Sequence, residues 1–129
     1  MSSNHLWFYE VTLAPVPASV ATARRFVQGH LQGHDQPLLV DDITLVVSEL
    51  ATNAVTHAGT TFTVSLAAFE DTVILQVRDG AVARPIRVNS HVLDAAGRGV
   101  AIVDVVSRDW GVVAHPKGSK SVWAAFSRG

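Results

Sequence analysis

A stretch near the middle of the chain predicts an apolar helix that carries a single line of polar side chains. It runs from Ser48 to Gly59 and places Glu49, Asn53 and His57 at successive four-residue steps. Residues four apart are neighbours on a helix surface, so a carboxylate, an amide and an imidazole would form one row. The rest of this helix is largely apolar and requires burial. The fold must therefore cover one side of the helix and leave the polar row accessible.

A helical wheel locates this row relative to the buried side. At ~100° per residue the apolar positions share one face; they are Ile43, Val46, Val47, Leu50 and Ala54. The polar positions Asp42, Glu49, Asn53 and Thr56 cluster beside that face, with His57 at its boundary. A ligand could be half enclosed along such an edge.

The composition excludes several classes of protein. The chain has 129 residues, of which 48% are hydrophobic and 16% charged, so we expect one globular domain spanning residues 1–129 rather than a disordered tail. A net charge of −1 argues against a nucleic-acid partner. The absence of cysteine excludes a disulfide framework. Neither a membrane span nor a secretory signal is visible, which predicts a cytoplasmic protein without a membrane partner.

Periodicity and turn residues predict the element order β-α-α-β-β-loop-α-β-β. We expect strands at 5–13, 61–69, 72–77, 110–114 and 121–126, a helix capped by Ser19, and a second helix that starts at Asp35 and Pro37 and stops at Gly59. Residues 80–97 are predicted to form a loop, and 100–106 are apolar enough for a buried helix or a buried strand. The order corresponds to an α+β fold, a two-layer sandwich with helices on one face of a mostly antiparallel sheet.

Two residues of the polar row have side chains suited to chemistry. Asn53 offers an amide oxygen, a ligand that hard cations such as magnesium accept. Glu49, one turn earlier, could accept a proton from a hydroxyl group or from water. The alternative is that both belong to a solvated helix flank.

An acid followed by glycine marks the end of the third predicted strand. Asp79 and Gly80 could simply start a turn. Alternatively, Asp79 accepts a hydrogen bond from an exocyclic amine such as adenine N6, and Gly80 lets the backbone approach the ring.

Two further segments could bind a phosphorylated ligand. Gly97, Arg98 and Gly99 precede the 100–106 segment; if that segment is a helix, its first N–H groups would suit a phosphate. An ordinary turn would contain the same residues. In the last hairpin residues 117–121 favour a solvated basic turn, although Ser121 could reach a nucleotide base.

Taken in this order, these segments resemble the GHKL (Bergerat-fold) ATP-binding superfamily, and within it the bacterial anti-sigma-factor serine kinase-like group. Residues 49–58 match the N box of that group, and Asp79-Gly80 matches its G1 box. Residues 97–103 match its G2 box, and 118–123 resemble its last box. The N box is the specific element, and the other boxes support it by their order and spacing.

The resemblance implies a role for each motif. Asn53 would bind Mg²⁺, Glu49 would act as the catalytic base and Asp79 would read adenine. The phosphates of ATP would be wrapped by Gly97, Arg98, Gly99 and Val100, which implies that 100–106 is a helix. Kinases of this group phosphorylate a serine of a small anti-anti-sigma factor and sequester a sigma factor, usually as homodimers.

The chain departs from the family pattern in the segment that would cover the phosphates. Residues 81–96 form a short presumed lid without a second glycine after Gly80, and Ser121 stands where threonine is more usual. Such a lid favours an alternative function, a catalytically weak nucleotide-sensing module that regulates a partner protein. A detached domain that phosphorylates histidine is a third possibility, but the chain has no room for a dimerisation helix bearing a phospho-acceptor.

Overall fold

The computed structural model describes residues 5–80, 97–116 and 118–128. In chain order the elements are β1 (Trp7–Leu13), α1 (Ala18–Gly33), α2 (Pro37–Asn53), a π-helical turn (Ala54–Ala58), β2 (Phe62–Ala68), β3 (Thr72–Asp79), α3 (Gly97–Val106), β4 (Asp109–Ala114) and β5 (Lys120–Ser127). The order of the helices and strands confirms the prediction from sequence. The presumed lid, residues 81–96, lies outside the described residues.

The five strands form one antiparallel sheet in the order β1-β2-β3-β5-β4. Along β2 the buried side chains alternate with half-buried ones, as expected when helices cover only one face of a sheet. The buried set is Phe62, Val64, Leu66 and Ala68. The expected two-layer α+β architecture is confirmed, with a helix-covered face and an open face.

The core lies between this sheet and the helices. Helix α1 contributes Ala23, Val27 and Leu31, and every apolar wheel position predicted for the second helix is buried. Burying a Val, Leu or Ile side chain contributes about 1.5–3 kcal/mol, so this face holds α2 in place. The position of the polar flank of α2 follows from that packing.

The helix ends differ in part from the prediction. Pro37 occupies the first turn of α2 as expected, because its fixed φ suits a helix start. Asp35 lies just before α2 with φ 57°, a left-handed conformation that aspartate tolerates. The prediction that Ser19 caps α1 is wrong. The helix starts at Ala18, since Pro17 already has helical dihedral angles, and Ser19 is buried in the first turn.

The end of α2 contains a feature that periodicity does not predict. Immediately after Asn53 the helix widens into the π-helical turn, which ends at Gly59 with φ 68°. Gly59 therefore stops the helix as predicted, because glycine adopts the left-handed conformation without strain. The wider turn changes the angular spacing of the residues that follow Asn53. Among the described residues, no helix has the length and apolar character needed to cross a membrane.

Candidate functional site

An ion pair lies where β3 ends and β5 begins. Asp79 is opposite Lys120 in the ladder, so both side chains are on the same face of the sheet, the face that packs on the helices. The ammonium group of Lys120 donates to Oδ2 of Asp79 at 3.0 Å, and Lys120 is one of the partners of this carboxylate. Asp79 is 5% exposed. A carboxylate this deeply buried needs such partners, because an uncompensated charge is costly away from water.

The chain just after Asp79 is held by Thr60, which comes just before β2 and lies at the same end of the β2–β3 hairpin. The backbone N–H of Gly80 donates to Oγ1 of Thr60 at 2.9 Å. A Cβ atom at Gly80 would lie 3.2 Å from that oxygen, which is tighter than ordinary packing. A larger residue here would require Thr60 to shift by a few tenths of an ångström. This contact fixes the path of the chain beside the Asp79 carboxylate.

Glu49 and Asn53 lie on the last two turns of α2, and both are half-buried. Helix α2 packs against α3 and also contacts β3 and β5. Asn53 is the last α-helical residue before the π-helical turn, a distortion that is frequent at functional sites. The polar flank of α2 is thus covered in part and accessible in part, as the wheel predicted.

The amide oxygen of Asn53 suits a hard cation that a bound ligand also coordinates. An amide oxygen suits Mg²⁺, which usually takes one or two protein oxygens together with phosphates and water. Within the described part of the chain, no group of three or more His, Cys, Asp or Glu residues could hold a metal ion. A magnesium ion at Asn53 would therefore need further oxygens from a bound phosphate.

His57 does not continue the polar row. It lies in the π-helical turn and is exposed, whereas Glu49 and Asn53 are half-buried. The expected four-residue step from Asn53 to His57 assumes a regular α-helix, and the wider turn breaks that spacing. The row therefore consists of Glu49 and Asn53.

The glycine segment before the third predicted helix belongs to the helix itself. Gly97, Arg98, Gly99 and Val100 form the first turn of α3. The first N–H groups of a helix have no intrahelical acceptor, so this turn presents the donors that an anion needs. The expected charge contribution of the Arg98 side chain falls outside what the structure describes. Because α3 packs against α2, these donors belong to the helix next to Glu49 and Asn53.

The position of Ser121 corrects the role expected for it. Ser121 pairs with Arg78, so its side chain lies on the open face of the sheet, opposite to the face of Asp79. It is buried there, with its hydroxyl 2.8 Å from Nε2 of His115 and accepting from Gln76 at 3.4 Å. The residue that joins Asp79 is Lys120. Strand alternation could have separated Lys120 from Ser121, but only the pairing register shows which of them faces Asp79.

His30 near the end of α1 and His34 just after the helix are part of an aromatic cluster against β1. The Tyr9 hydroxyl lies 2.7 Å from Nε2 of His34, whose ring stacks on Trp7. His30 stacks on Tyr9 with ring centroids 3.7 Å apart. Burial lowers the pKa of His30, and the nearby His34 lowers it further. These contacts give both imidazoles a packing role.

With this geometry established, comparison with known proteins identifies the family. A family model described as a histidine kinase-like ATPase domain matches residues 13–124, which include Glu49, Asn53, Asp79 and α3. The chain belongs to this histidine kinase-like ATPase family. Membership confirms the resemblance to the GHKL superfamily and implies a fold that binds ATP. A search of curated proteins finds no match.

A solved structure supports the same fold. It contains the RsbU and RsbW domains of Rv1364c from Mycobacterium tuberculosis, with a TM-score of 0.68 and 19% sequence identity. The alignment covers 93% of this histidine kinase-like ATPase domain but only 32% of the other chain. This domain therefore spans about a third of that protein, and at this identity the likeness shows the fold alone.

Proposed function

We propose that this domain is an ATP-dependent protein serine kinase of the anti-sigma type. It transfers the γ-phosphate of ATP to a serine of an antagonist protein, and it sequesters a sigma factor. The observation that carries the proposal is the buried Asp79 carboxylate, held by Lys120 at a strand end within the region matched by the ATPase family. A buried acidic acceptor at that point suits recognition of the adenine amine.

The nucleotide is bound by groups from three elements. Asp79 accepts from the exocyclic amine of the base, and Gly80 keeps the adjoining backbone against Thr60. The first turn of α3, residues 97–100, donates backbone N–H groups to the phosphates. Asn53 supplies an amide oxygen to Mg²⁺. When bound, the ion neutralises charge on the phosphate oxygens.

Glu49 acts on the nucleophile. Its half-buried carboxylate lies one turn before Asn53 on the same flank of α2. A carboxylate at that position accepts the proton of the serine hydroxyl and orients its oxygen toward the phosphate. Because phosphoryl transfer depends mainly on positioning and charge neutralisation, the rigid attachment of α2 to the core keeps the base in place.

The partners follow from the group that the sequence resembles. The phosphate acceptor is an anti-anti-sigma-factor-like protein, the sequestered protein is a sigma factor, and the kinase acts as a homodimer in the cytoplasm. The fold likeness to a chain that contains an RsbW domain supports this choice of group. In this proposal residues 1–129 make up one domain.

Two variants on α2 test the proposal. Glu49→Ala should reduce phosphate transfer by at least ~100-fold, as expected for the loss of a general base, while ATP affinity stays within about threefold. Asn53→Ala should weaken Mg²⁺-dependent ATP binding. Transfer is measured with labelled ATP and a candidate antagonist protein, and affinity by calorimetry with and without Mg²⁺.

A matched control is available on the same helix. Asp42 is an exposed carboxylate two turns before Glu49, so Asp42→Ala should leave both transfer and binding unchanged. Full activity in the Glu49 and Asn53 variants would refute the assignment. ATP binding by the unmodified protein without transfer to any candidate would instead select the nucleotide-sensing module as its function.

A further inference from the structure

Lys120 places a cation beside Asp79, the carboxylate that we propose binds the purine base of the nucleotide. Its side chain is 22% exposed and that of Asp79 is 5% exposed, so the pair is shielded from water on the helix-covered face. The 3.0 Å contact follows from the ladder, in which Asp79 and Lys120 are directly opposite each other. The register therefore brings the two charged side chains to the same place on the helix-covered face.

The pair combines a strong acceptor with a strong donor. A carboxylate accepts about four hydrogen bonds, and an ammonium group donates three, so one contact between them does not by itself exhaust either group. Lys120 is one of the partners of Asp79. Adenine presents an amine at position 6 beside the acceptor N1. A 6-oxo purine presents a carbonyl oxygen at position 6 beside an N1–H donor. Each edge has one donor and one acceptor, in opposite order.

The consequences for selectivity differ between a lone carboxylate and this pair. A lone carboxylate accepts from the adenine amine but repels a 6-oxo oxygen, because two acceptors would then face each other without water. With Lys120 beside Asp79, the ammonium can donate to the 6-oxo oxygen while the carboxylate accepts from N1–H. A site discriminates strongly against a ligand that would leave a buried polar group without a hydrogen bond. Because Lys120 can donate to the 6-oxo oxygen, 6-oxo purines would not be excluded in this way.

We infer that Lys120 is a specificity-determining residue that lets this site accept 6-oxo purine nucleotides as well as 6-amino ones. The inference rests on the proposed nucleotide binding and adds to it the chemical class of the base. Lys120 contacts the base directly in this arrangement. It also keeps Asp79 in place, a role that any cation of similar reach could share.

The test compares ATP with inosine triphosphate, which differ only at positions 6 and 1 of the purine. Calorimetry with Mg²⁺ gives the dissociation constant of each nucleotide for the unmodified protein, Lys120→Met and Lys120→Arg. We expect the unmodified protein to bind the two nucleotides within about tenfold of each other. Lys120→Met should raise the preference for ATP at least tenfold further, and Lys120→Arg should restore the original ratio because it retains a cationic donor.

Arg78→Met provides the matched control. Arg78 precedes Asp79 on β3 but faces the open side of the sheet, so its loss should leave the ratio unchanged. Thermal unfolding of each variant checks that the fold is retained. The measurement on the unmodified protein does not depend on any variant folding.

The outcomes separate this inference from the function on which it rests. If the unmodified protein binds ATP and discriminates against inosine triphosphate by more than a hundredfold, the inference is overturned and the nucleotide site stands. An ATP preference that is the same in the Lys120→Met variant as in the unmodified protein also overturns it. If the unmodified protein binds neither nucleotide, the proposed function itself fails.

Discussion

Two neighbouring rungs of the β3–β5 ladder carry polar side chains and use them differently. Asp79 and Lys120 form one rung and face the helices, whereas Arg78 and Ser121 form the next and face the open side. On the helix side a charged pair lies at the strand ends, near the helices that carry the other candidate ligand groups. On the open side Ser121 is enclosed by hydrogen bonds to His115 and Gln76.

The difference shows that neighbouring residues of one sequence motif can have different roles when they lie on a strand. Residues 118–123 resemble one family box, yet Lys120 and Ser121 within it project to opposite faces because side chains alternate along a strand. The first can meet a ligand held between the sheet and the helices. The second has its hydrogen-bonding capacity used inside the protein, so its contribution is to stability.

Changing one polar residue on each face should have the largest and most different effects. Asp79→Asn should lower ATP affinity by about 10- to 100-fold, because a hydrogen bond to a charged group contributes about 1.5–3 kcal/mol. Ser121→Ala should change ATP affinity by less than about threefold, although it leaves His115 and Gln76 without a partner and costs about 1 kcal/mol of stability. Calorimetry and thermal unfolding separate the two effects.

Equal losses of ATP affinity in these two variants would contradict the division of roles between the faces. An unchanged affinity in Asp79→Asn would remove Asp79 from the site altogether. A folded Ser121→Ala protein with normal binding is the outcome that supports the comparison.

A second prediction concerns stability on the open face. The indole ring of Trp123 covers Gly111 on the adjacent strand, and a Cβ atom there would lie 2.8 Å from the indole nitrogen. Gly111→Ala should therefore destabilise the protein by about 1–3 kcal/mol, the usual cost of overpacking. Urea unfolding measures the loss, and ATP affinity of the folded fraction should not change.

Gly29 supplies the matched control for that substitution. It lies in α1 with no atom within 4 Å of the added Cβ, so Gly29→Ala should stabilise by up to about 1 kcal/mol through helix propensity. If both alanines are tolerated equally, Trp123 does not constrain Gly111 and the open face is less tightly packed than the contact distances indicate.

A third prediction sharpens the role of the backbone beside Asp79. Thr60→Val keeps the side-chain shape but removes the oxygen that accepts from Gly80 N–H, so the strand end should move and ATP affinity should fall by about 3- to 10-fold. Thr60→Ser retains the hydroxyl and should bind nearly normally. Equal affinity of the Val and Ser variants would show that this hydrogen bond does not position Asp79.

The sequence is sufficient to predict the elements and much of the candidate site. Strand alternation, the apolar face of α2 and Gly59 as its stop all depend on local periodicity and backbone preference, and the structure confirms them. Asp79 can be identified because an acid followed by glycine at a strand end is a local pattern. That it is buried agrees with the proposed role and could not be read from the sequence.

What the sequence could not predict depends on non-local geometry. The position of Lys120 opposite Asp79 is a property of the strand register between residues far apart in the chain. The π-helical turn follows Asn53 directly and contains His57, and no residue preference in the sequence marks it. The prediction for the N-terminus of α1 is wrong because Ser19 has a favourable capping side chain, whereas Pro17 already has helical dihedral angles.

The smallest predicted effect concerns His30, a polar residue on the helix-covered face that we expect to lie outside the proposed nucleotide site. His30 is on α1, stacked on Tyr9, and burial together with His34 lowers its pKa below the usual 6.5. The unfolded chain then binds the proton more readily than the folded one. Stability is fully present above the usual pKa, and it falls as the pH drops from about 6.5 through the lowered pKa of the folded state.

His30→Phe keeps an aromatic ring against Tyr9 and removes the titrating group. The free energy of unfolding, measured by urea at about pH 7.5 and pH 5.5, should therefore fall less on acidification in this variant than in the unmodified protein. ATP affinity should be the same in both, since His30 is packed against β1 and Asp79 belongs to β3, two strands away in the sheet. An identical pH dependence of stability would show that the His30 ring titrates alike in the folded and unfolded chains. A loss of ATP affinity in His30→Phe would show that the functional region reaches the aromatic cluster around His30. The contrast between a ligand site at Asp79 and a packing cluster at His30 would then be wrong.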